Sequence, residues 1–132
     1  MTATIVLKVG FVTLCLGLFG CERPVSFAAD IQPLLSESCG NCHDRTGEGS
    51  VASGFSINNY DEVMKGTELG PVVIPGSSES SNLYRVIAAK TAPEIRMPPH
   101  HQQSWAEGRG HPLTAKQVEI IKRWIDEGAK DN

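Results

Sequence analysis

Two cysteines and a histidine stand close together in the run Cys39-Gly40-Asn41-Cys42-His43. Two thiols one turn of chain apart can add to the two vinyl groups along one edge of a porphyrin. The histidine that follows then lies under the iron and can ligate it through an imidazole nitrogen. This C-x-x-C-H pattern is typical of covalent haem attachment. We therefore predict one covalently attached haem c, bound through Cys39 and Cys42, with His43 as an iron ligand.

Two other kinds of site also use a pair of cysteines. A tetrahedral zinc site needs two further Cys or His ligands, but the sequence has no second C-x-x-C and its later histidines are unevenly spaced. A thioredoxin-like redox pair belongs to a βαβ unit, and no such unit is indicated here. A structural disulfide between Cys39 and Cys42 would close a very small loop. These alternatives remain weaker than haem attachment.

A haem iron held by one histidine needs a sixth ligand or an open face, and Met97 is the residue we predict to bind there. The proline after Met97 keeps it out of helical geometry, and Pro98 and Pro99 stiffen the segment. A stiff loop can hold a thioether at the iron with little entropic cost. Met64 lies in a predicted helix, where a buried methionine usually packs in the core. The alternatives left open are an unliganded sixth position and three histidines: His100, His101 and His111.

Residues 1–20 have the features of an export signal. Their apolar stretch is too short for about 30 Å of hydrocarbon, which needs roughly 20 residues, and it fits a signal-peptide core instead. The stretch ends Leu18-Phe19-Gly20-Cys21, which resembles a bacterial lipobox. We therefore predict a signal peptide over 1–20, a lipidated linker over 21–24 that begins at Cys21, and a domain over 25–130. An uncleaved anchor and simple secretion are the alternatives, and all three place the domain outside the cytoplasm.

The composition limits the classes of function. With 132 residues, the chain is long enough for one domain but not comfortably for two. Its formal charge is -3 and it has no basic run, which excludes nucleic acid as an expected partner. Aromatic residues are only 6%, so the core is modest, and a large internal cofactor would supply the missing apolar mass.

Helical spacing predicts an all-α fold, because no segment shows convincing β-alternation. The first helix carries the apolar residues Phe27, Ile31, Leu34 and Leu35 and ends at the C-x-x-C-H motif. We expect Asp30 as its N-cap and Pro33 in its first turn.

Shorter elements follow in the middle of the chain. Residues 44–59 are rich in Gly and Ser and are predicted to be loop. We predict a short helix Tyr60–Lys65 with Asn59 as its N-cap and Gly66 at its end. An extended or turn-like segment over 70–76 follows. A further helix would run through Leu83 to Ile87, capped within 77–79.

The last helix has the clearest sequence signals. Thr114 and Gln117 form a capping box, and Leu113 and Val118 form the matching hydrophobic staple. Val118, Ile121 and Ile125 would line one apolar face, joined at its edge by Trp124, and Gly128 would end the helix.

The order and spacing of these residues resemble the planctomycete-type cytochrome c domain across nearly all of residues 25–129. The matching stretches are the run 25–35, the Cys39–His43 motif, Pro75-Gly76 with Ser80 to Tyr84, Met97-Pro98-Pro99, and Leu113-Thr114 leading to 123–129. The resemblance implies a small class-I-like cytochrome c fold, with the N- and C-terminal helices packed over the haem. It also implies that His43 is the proximal ligand and Met97 the distal one.

These observations predict an electron-transfer protein of the periplasm, held at a membrane by lipid on Cys21 and exchanging single electrons with redox partner proteins. We expect no enzymatic activity and no small-molecule substrate. Arg85 and Arg96 are candidates to pair with a haem propionate, or they are solvated surface arginines. Two other functions stay open. One is a haem sensor or peroxidase-like protein with an openable distal site, and the other is a haem docking module for a larger oxidoreductase.

Overall fold

The computed structural model describes residues 22–99 and 112–132 of the chain, and this part is helical. It contains no strand; the β-like pairing in it is an isolated bridge between Thr67 and Gly70. The all-α prediction is confirmed. In chain order the elements are a π-helical segment Phe27–Ile31, α1 Gln32–His43, α2 Glu48–Ser53, α3 Tyr60–Lys65, α4 Asn82–Ile87, a 3-10 turn Pro93–Ile95, and α5 Ala115–Asp126.

The first helical run begins at Ser26, not at Asp30. The Ser26 hydroxyl accepts from the Ala29 N–H at 3.2 Å, and the Asp30 carboxylate accepts the Ser26 N–H at 2.8 Å. The prediction of Asp30 as the N-cap is wrong, because Asp30 already lies inside the π-helical segment and its carboxylate reaches back to the cap. Pro33 lies in the first turn of α1, as predicted, where its missing N–H removes no bond within that helix.

Residues 44–59, predicted to be loop, contain the two-turn helix α2. Gly47 precedes the helix, and Gly54 ends it in the left-handed conformation at φ 73°. The Ser53 hydroxyl donates to the Gly49 carbonyl at 2.6 Å. The helix packs against α1. With six residues, α2 is too short to show a helical periodicity of apolar residues. Its helical conformation therefore depends on contact with α1 rather than on local sequence.

The short helices α3 and α4 are both present. α3 is capped as predicted: the Asn59 side chain accepts from the Glu62 N–H at 2.9 Å, and Gly66 follows the helix. The N-cap of α4 is Ser81, so the prediction of a cap within 77–79 is wrong. The buried Ser81 hydroxyl donates to the Ser77 carbonyl and accepts from the Ile74 N–H, each at 2.8 Å, and thereby fixes the turn before the helix.

Helix α5 supplies the centre of the core. Thr114 and Gln117 form the predicted capping box, and Gly128 follows the helix at φ 103°. Ile121, Trp124 and Ile125 are fully buried. Trp124 lies deeper than the helix edge at which it was predicted, because it packs on Phe27 with ring centroids 5.5 Å apart. In the described residues, no helix has the length and apolar character to cross a membrane.

The two ends of the domain meet. The Val25 N–H donates to the Glu127 carboxylate at 2.7 Å, and the Ala28 N–H donates to the Asn132 backbone oxygen at 3.1 Å. Ser26 also donates its hydroxyl to that oxygen. The π-helical segment contacts α5, so the predicted packing of the N- and C-terminal helices is confirmed. This packing fixes the beginning of α1, and α1 carries the C-x-x-C-H motif at its other end.

Candidate functional site

The C-x-x-C-H motif forms the last turn of α1, as predicted from the sequence. Cys39, Cys42 and His43 occupy positions i, i+3 and i+4, which lie on one side of an α-helix. Both cysteines are free thiols and are half-buried. The helix therefore brings two thiols and one imidazole together within a single turn.

The environment of Cys39 differs from that of a redox-active cysteine. Burial, followed by the neighbouring Cys42, raises the pKa of the Cys39 thiol to about 11. Nucleophilic cysteines of thioredoxin-like pairs have lowered pKa values. The shift of the Cys39 pKa in the opposite direction argues against a thioredoxin-like redox role for Cys39.

His43 is held by the segment that follows α2. Its Nδ1 lies 3.2 Å from the Phe55 carbonyl oxygen, and its own carbonyl accepts from the Ile57 N–H at 3.0 Å. The Phe55 ring packs edge-on against the imidazole with centroids 5.3 Å apart. Because a carbonyl oxygen only accepts, Nδ1 carries the proton. The lone pair of Nε2 is then available to a metal, which is the arrangement of metal-ligating histidines.

Two glycines allow the chain to pass close to this turn. A Cβ added at Gly49 would lie 2.7 Å from Cε1 and 2.9 Å from Nε2 of His43. A Cβ added at Gly47 would collide with the carbonyl oxygen of Cys42. From the sequence, Gly47 and Gly49 are predicted only as part of a loop rich in Gly and Ser. The sequence feature that marks their close approach to the motif is the Gly-x-Gly spacing shortly after it.

Met97 lies on a separate segment. Its N–H donates to the Val86 carbonyl at 3.2 Å, at the end of α4, and it follows the 3-10 turn. Its side chain is 37% exposed. Among the described residues, Met97 is therefore joined to α4 by a hydrogen bond and not to the motif on α1. Its role as an iron ligand stays a prediction.

The remaining residues singled out from the sequence lie partly in the core, partly on the surface and partly outside the described residues. Met64 packs against the core, in keeping with the packing role predicted for it. Arg85 is exposed on α4, whereas Arg96 donates its Nε to the Thr91 carbonyl at 3.2 Å and closes the loop before Met97. Cys21, the predicted lipidation site, lies outside the described residues together with the signal over 1–20. The same holds for three candidate ligands: His100, His101 and His111.

The residues present fit a covalently attached haem. Two free thiols and an imidazole whose Nδ1 donates to the Phe55 carbonyl share one turn, and the lack of a Cβ at Gly49 avoids a collision with Cε1 and Nε2 of His43. Within 22–99 and 112–132, no group of three or more His, Cys, Asp or Glu side chains could hold a metal ion.

Helical fold and motif together define the class of a c-type cytochrome. A family model described as planctomycete cytochrome C matches residues 39–101, which include the Cys39–His43 motif and Met97. The match over these residues supports a planctomycete-type cytochrome c domain, and this family implies covalently bound haem with iron. Neither the curated proteins nor the solved structures gave a match to the chain.

Proposed function

We propose that this chain is an exported, membrane-anchored cytochrome that binds one haem and carries single electrons between redox partner proteins. The observation that carries the proposal is the His43 imidazole, whose Nδ1 is engaged by the Phe55 carbonyl while Nε2 stays available beside two free thiols. No group for bond-making chemistry on a substrate is needed for this role.

Each motif residue has a defined task in the proposal. The thiols of Cys39 and Cys42 would hold the haem covalently, since each thiol can add its sulfur and its proton across one vinyl group. His43, through Nε2, and Met97 would hold the iron. The bound haem supplies one-electron exchange between ferric and ferrous iron. A His/Met pair raises the reduction potential relative to two histidines.

The backbone around His43 suits electron transfer. Its carbonyl, its Nδ1 and its ring face are all held by the segment from Phe55 to Ile57. That segment is itself tied to the beginning of α1, because the Gln32 amide donates to the Ile57 carbonyl at 2.8 Å. A ligand fixed in this way changes its geometry little between oxidation states, which keeps the reorganisation small.

The residues after Cys21 support a short membrane tether. Arg123 contacts the Glu22 carboxylate at 2.7 Å, and Arg23 forms a two-pronged pair with Asp30, with both contacts at 2.7 Å. A lipid on Cys21 would then be joined to the domain with almost no free linker. Confinement near the membrane raises the effective concentration of a carrier at its partner.

Haem staining after denaturing electrophoresis tests the attachment site. The wild-type protein should stain, and a variant that combines Cys39→Ala with Cys42→Ala should not. Cys21→Ala is the matched control, since it removes a cysteine outside the motif and should still stain. Retained covalent haem in the double variant would disprove the assignment.

Mass spectrometry of the membrane-extracted protein tests the anchor. We expect a chain that begins at Cys21 and carries acyl mass, and we expect Cys21→Ala to abolish that mass. A chain that begins at Met1 would instead establish an uncleaved N-terminal anchor.

A further inference from the structure

The Phe55 carbonyl that fixes His43 has a second donor. The Ser50 hydroxyl donates to the same oxygen at 2.7 Å, while His43 Nδ1 lies 3.2 Å from it. A carbonyl oxygen has two lone pairs, so both bonds can form together. Ser50 and Phe55 are 9% and 8% exposed, so water does not readily take the place of the Ser50 hydroxyl at this carbonyl.

The shorter of the two bonds weakens the longer one. A hydroxyl that donates to a carbonyl oxygen draws electron density from it, which makes the oxygen a poorer acceptor for the N–H of His43. A strong acceptor at Nδ1 raises the basicity of a metal-ligating histidine. The Ser50 hydroxyl therefore limits how much negative charge His43 can give to a metal at Nε2.

We propose that Ser50 is a positioning residue that raises the reduction potential of the haem bound at His43 by sharing the Phe55 carbonyl. This inference rests on the proposed function, since His43 must ligate the iron. A more basic imidazole stabilises ferric iron over ferrous iron, and second-shell hydrogen bonding is an established means of setting haem potentials. The hydroxyl dipole, which points its proton at the carbonyl near His43, acts in the same direction.

Ser53 offers a matched control on the same helix. Its hydroxyl accepts from the Phe55 N–H at 3.1 Å and donates to the Gly49 carbonyl. Ser53 thus binds the amide of Phe55, whereas Ser50 binds the carbonyl that His43 uses. Loss of either hydroxyl loosens the turn after α2, but only loss of the Ser50 hydroxyl changes the acceptor of His43.

The experiment is a redox titration of holoprotein variants followed by visible absorbance. Ser50→Ala should lower the reduction potential and shift the ferric-to-ferrous equilibrium by roughly two- to tenfold, the range of one hydrogen bond. Tenfold corresponds to about 59 mV for a one-electron couple. Ser53→Ala should leave the potential within error of wild type, and Ser50→Thr, which retains the hydroxyl, should do the same.

A second pair keeps the test valid if Ser50→Ala fails to mature. Ser50→Val and Ser50→Thr have the same shape and differ in the hydroxyl, so Val should have the lower potential. In the ferric proteins, proton NMR should also show the Nδ1–H signal of His43 displaced in Val relative to Thr. Equal potentials in Val and Thr, or in Ala and wild type, would overturn the inference.

The outcome is separable from that for the proposed function. A wild-type protein without covalent haem would disprove the function itself. If the wild type binds haem but loss of the Ser50 hydroxyl leaves the reduction potential unchanged, only the inference about Ser50 is disproved.

Discussion

At the scale of single residues, Gly49 sets how closely α2 can approach the imidazole of His43. Gly49→Ala would bring a methyl group 2.7 Å from Cε1 of His43 and 2.9 Å from the Cys42 carbonyl oxygen. Overpacking of this kind costs about 1–3 kcal/mol, and here the strain falls on His43, the predicted iron ligand. We expect Gly49→Ala to lower the melting temperature and the yield of haem-bearing protein, measured by thermal melts and haem absorbance.

Gly40 provides the matched control for that substitution. It lies within the motif itself, and a Cβ added there meets nothing within 4 Å. Gly40→Ala should mature normally and gain up to about 1 kcal/mol, because alanine is the better helix former. If Gly49→Ala matures as well as Gly40→Ala, the close approach of α2 to His43 does not constrain the site.

Met97 is the residue that we predict as the second ligand of the haem iron. If its thioether binds the iron, the ferric protein should show the weak sulfur-to-iron charge-transfer band at the red end of the visible spectrum. Met97→Ala should abolish that band, lower the reduction potential and leave the haem attached. Absorbance spectra and a redox titration measure all three effects.

Met64 is the control for Met97, since it packs against the core on α3. Met64→Ala should reduce stability without changing the charge-transfer band. A Met97→Ala protein with an unchanged spectrum and potential would contradict the assignment. A conversion to a spectrum of two histidine ligands would show that a histidine has replaced the lost thioether.

At the scale of elements, Trp124 joins α5 to the beginning of the chain. It is 1% exposed, its ring packs on Phe27, and its Nε1 donates to the Lys130 carbonyl at 3.0 Å. Removing a buried aromatic side chain costs about 3–5 kcal/mol. Trp124→Ala should therefore lower the melting temperature markedly while the haem stays attached, as measured by calorimetry and haem staining.

Trp124→Phe separates the packing of the ring from its hydrogen bond. It keeps an aromatic ring next to Phe27 and loses the donor to the Lys130 carbonyl, so its loss of stability should be smaller than that of Trp124→Ala. Equal stability of Trp124→Ala and wild type would place the side chain outside the core.

Elements whose signals are local could be predicted from the sequence. The cap at Asn59, the stop at Gly66, and the capping box of Thr114 and Gln117 each depend on residues within one turn of the helix end. The true cap of the first helix, Ser26, was missed because a π-helical segment displaces the start of the run from Asp30. Helix α2 was missed because it depends on packing against α1.

The same distinction between local signals and long-range contacts applies to the candidate site. The motif from Cys39 to His43 could be recognised because its residues are adjacent in sequence. The partners of His43 could not, because Phe55 and Ile57 belong to a later segment that only the fold brings to the imidazole. Ser50 was missed for the same reason: its hydroxyl has a role only through the carbonyl that it shares.

At the scale of the whole molecule, carboxylates with lowered pKa values link stability to pH, and Asp30 and Glu62 are two of them. Arg23 and the backbone N–H of Ser26 lower the pKa of Asp30 to about 2. Hydrogen bonds from Ser56, Asn58 and Arg45 lower the pKa of Glu62 to about 2. Both values lie below those of an unfolded chain, so the unfolded state binds protons first on acidification.

Stability should therefore be constant above about pH 5 and fall progressively towards pH 2, which is the window between unfolded and folded pKa values. Melting temperatures recorded across this range test the prediction. Glu62→Gln removes one of these carboxylates, so its curve of melting temperature against pH should be flatter than that of wild type. A Glu62→Gln curve parallel to wild type would rule out Glu62 as a source of the acid sensitivity.

The meeting of Ser26 and Ala28 with Asn132 also determines when the domain can finish folding. The two thiols on α1 precede α5 and Asn132 in the sequence. While α5 is unfolded, the π-helical segment has no surface on which to bury Phe27, and these long-range contacts cannot form. Any state of the chain in which α5 has not yet packed therefore leaves Cys39 and Cys42 on an incomplete core.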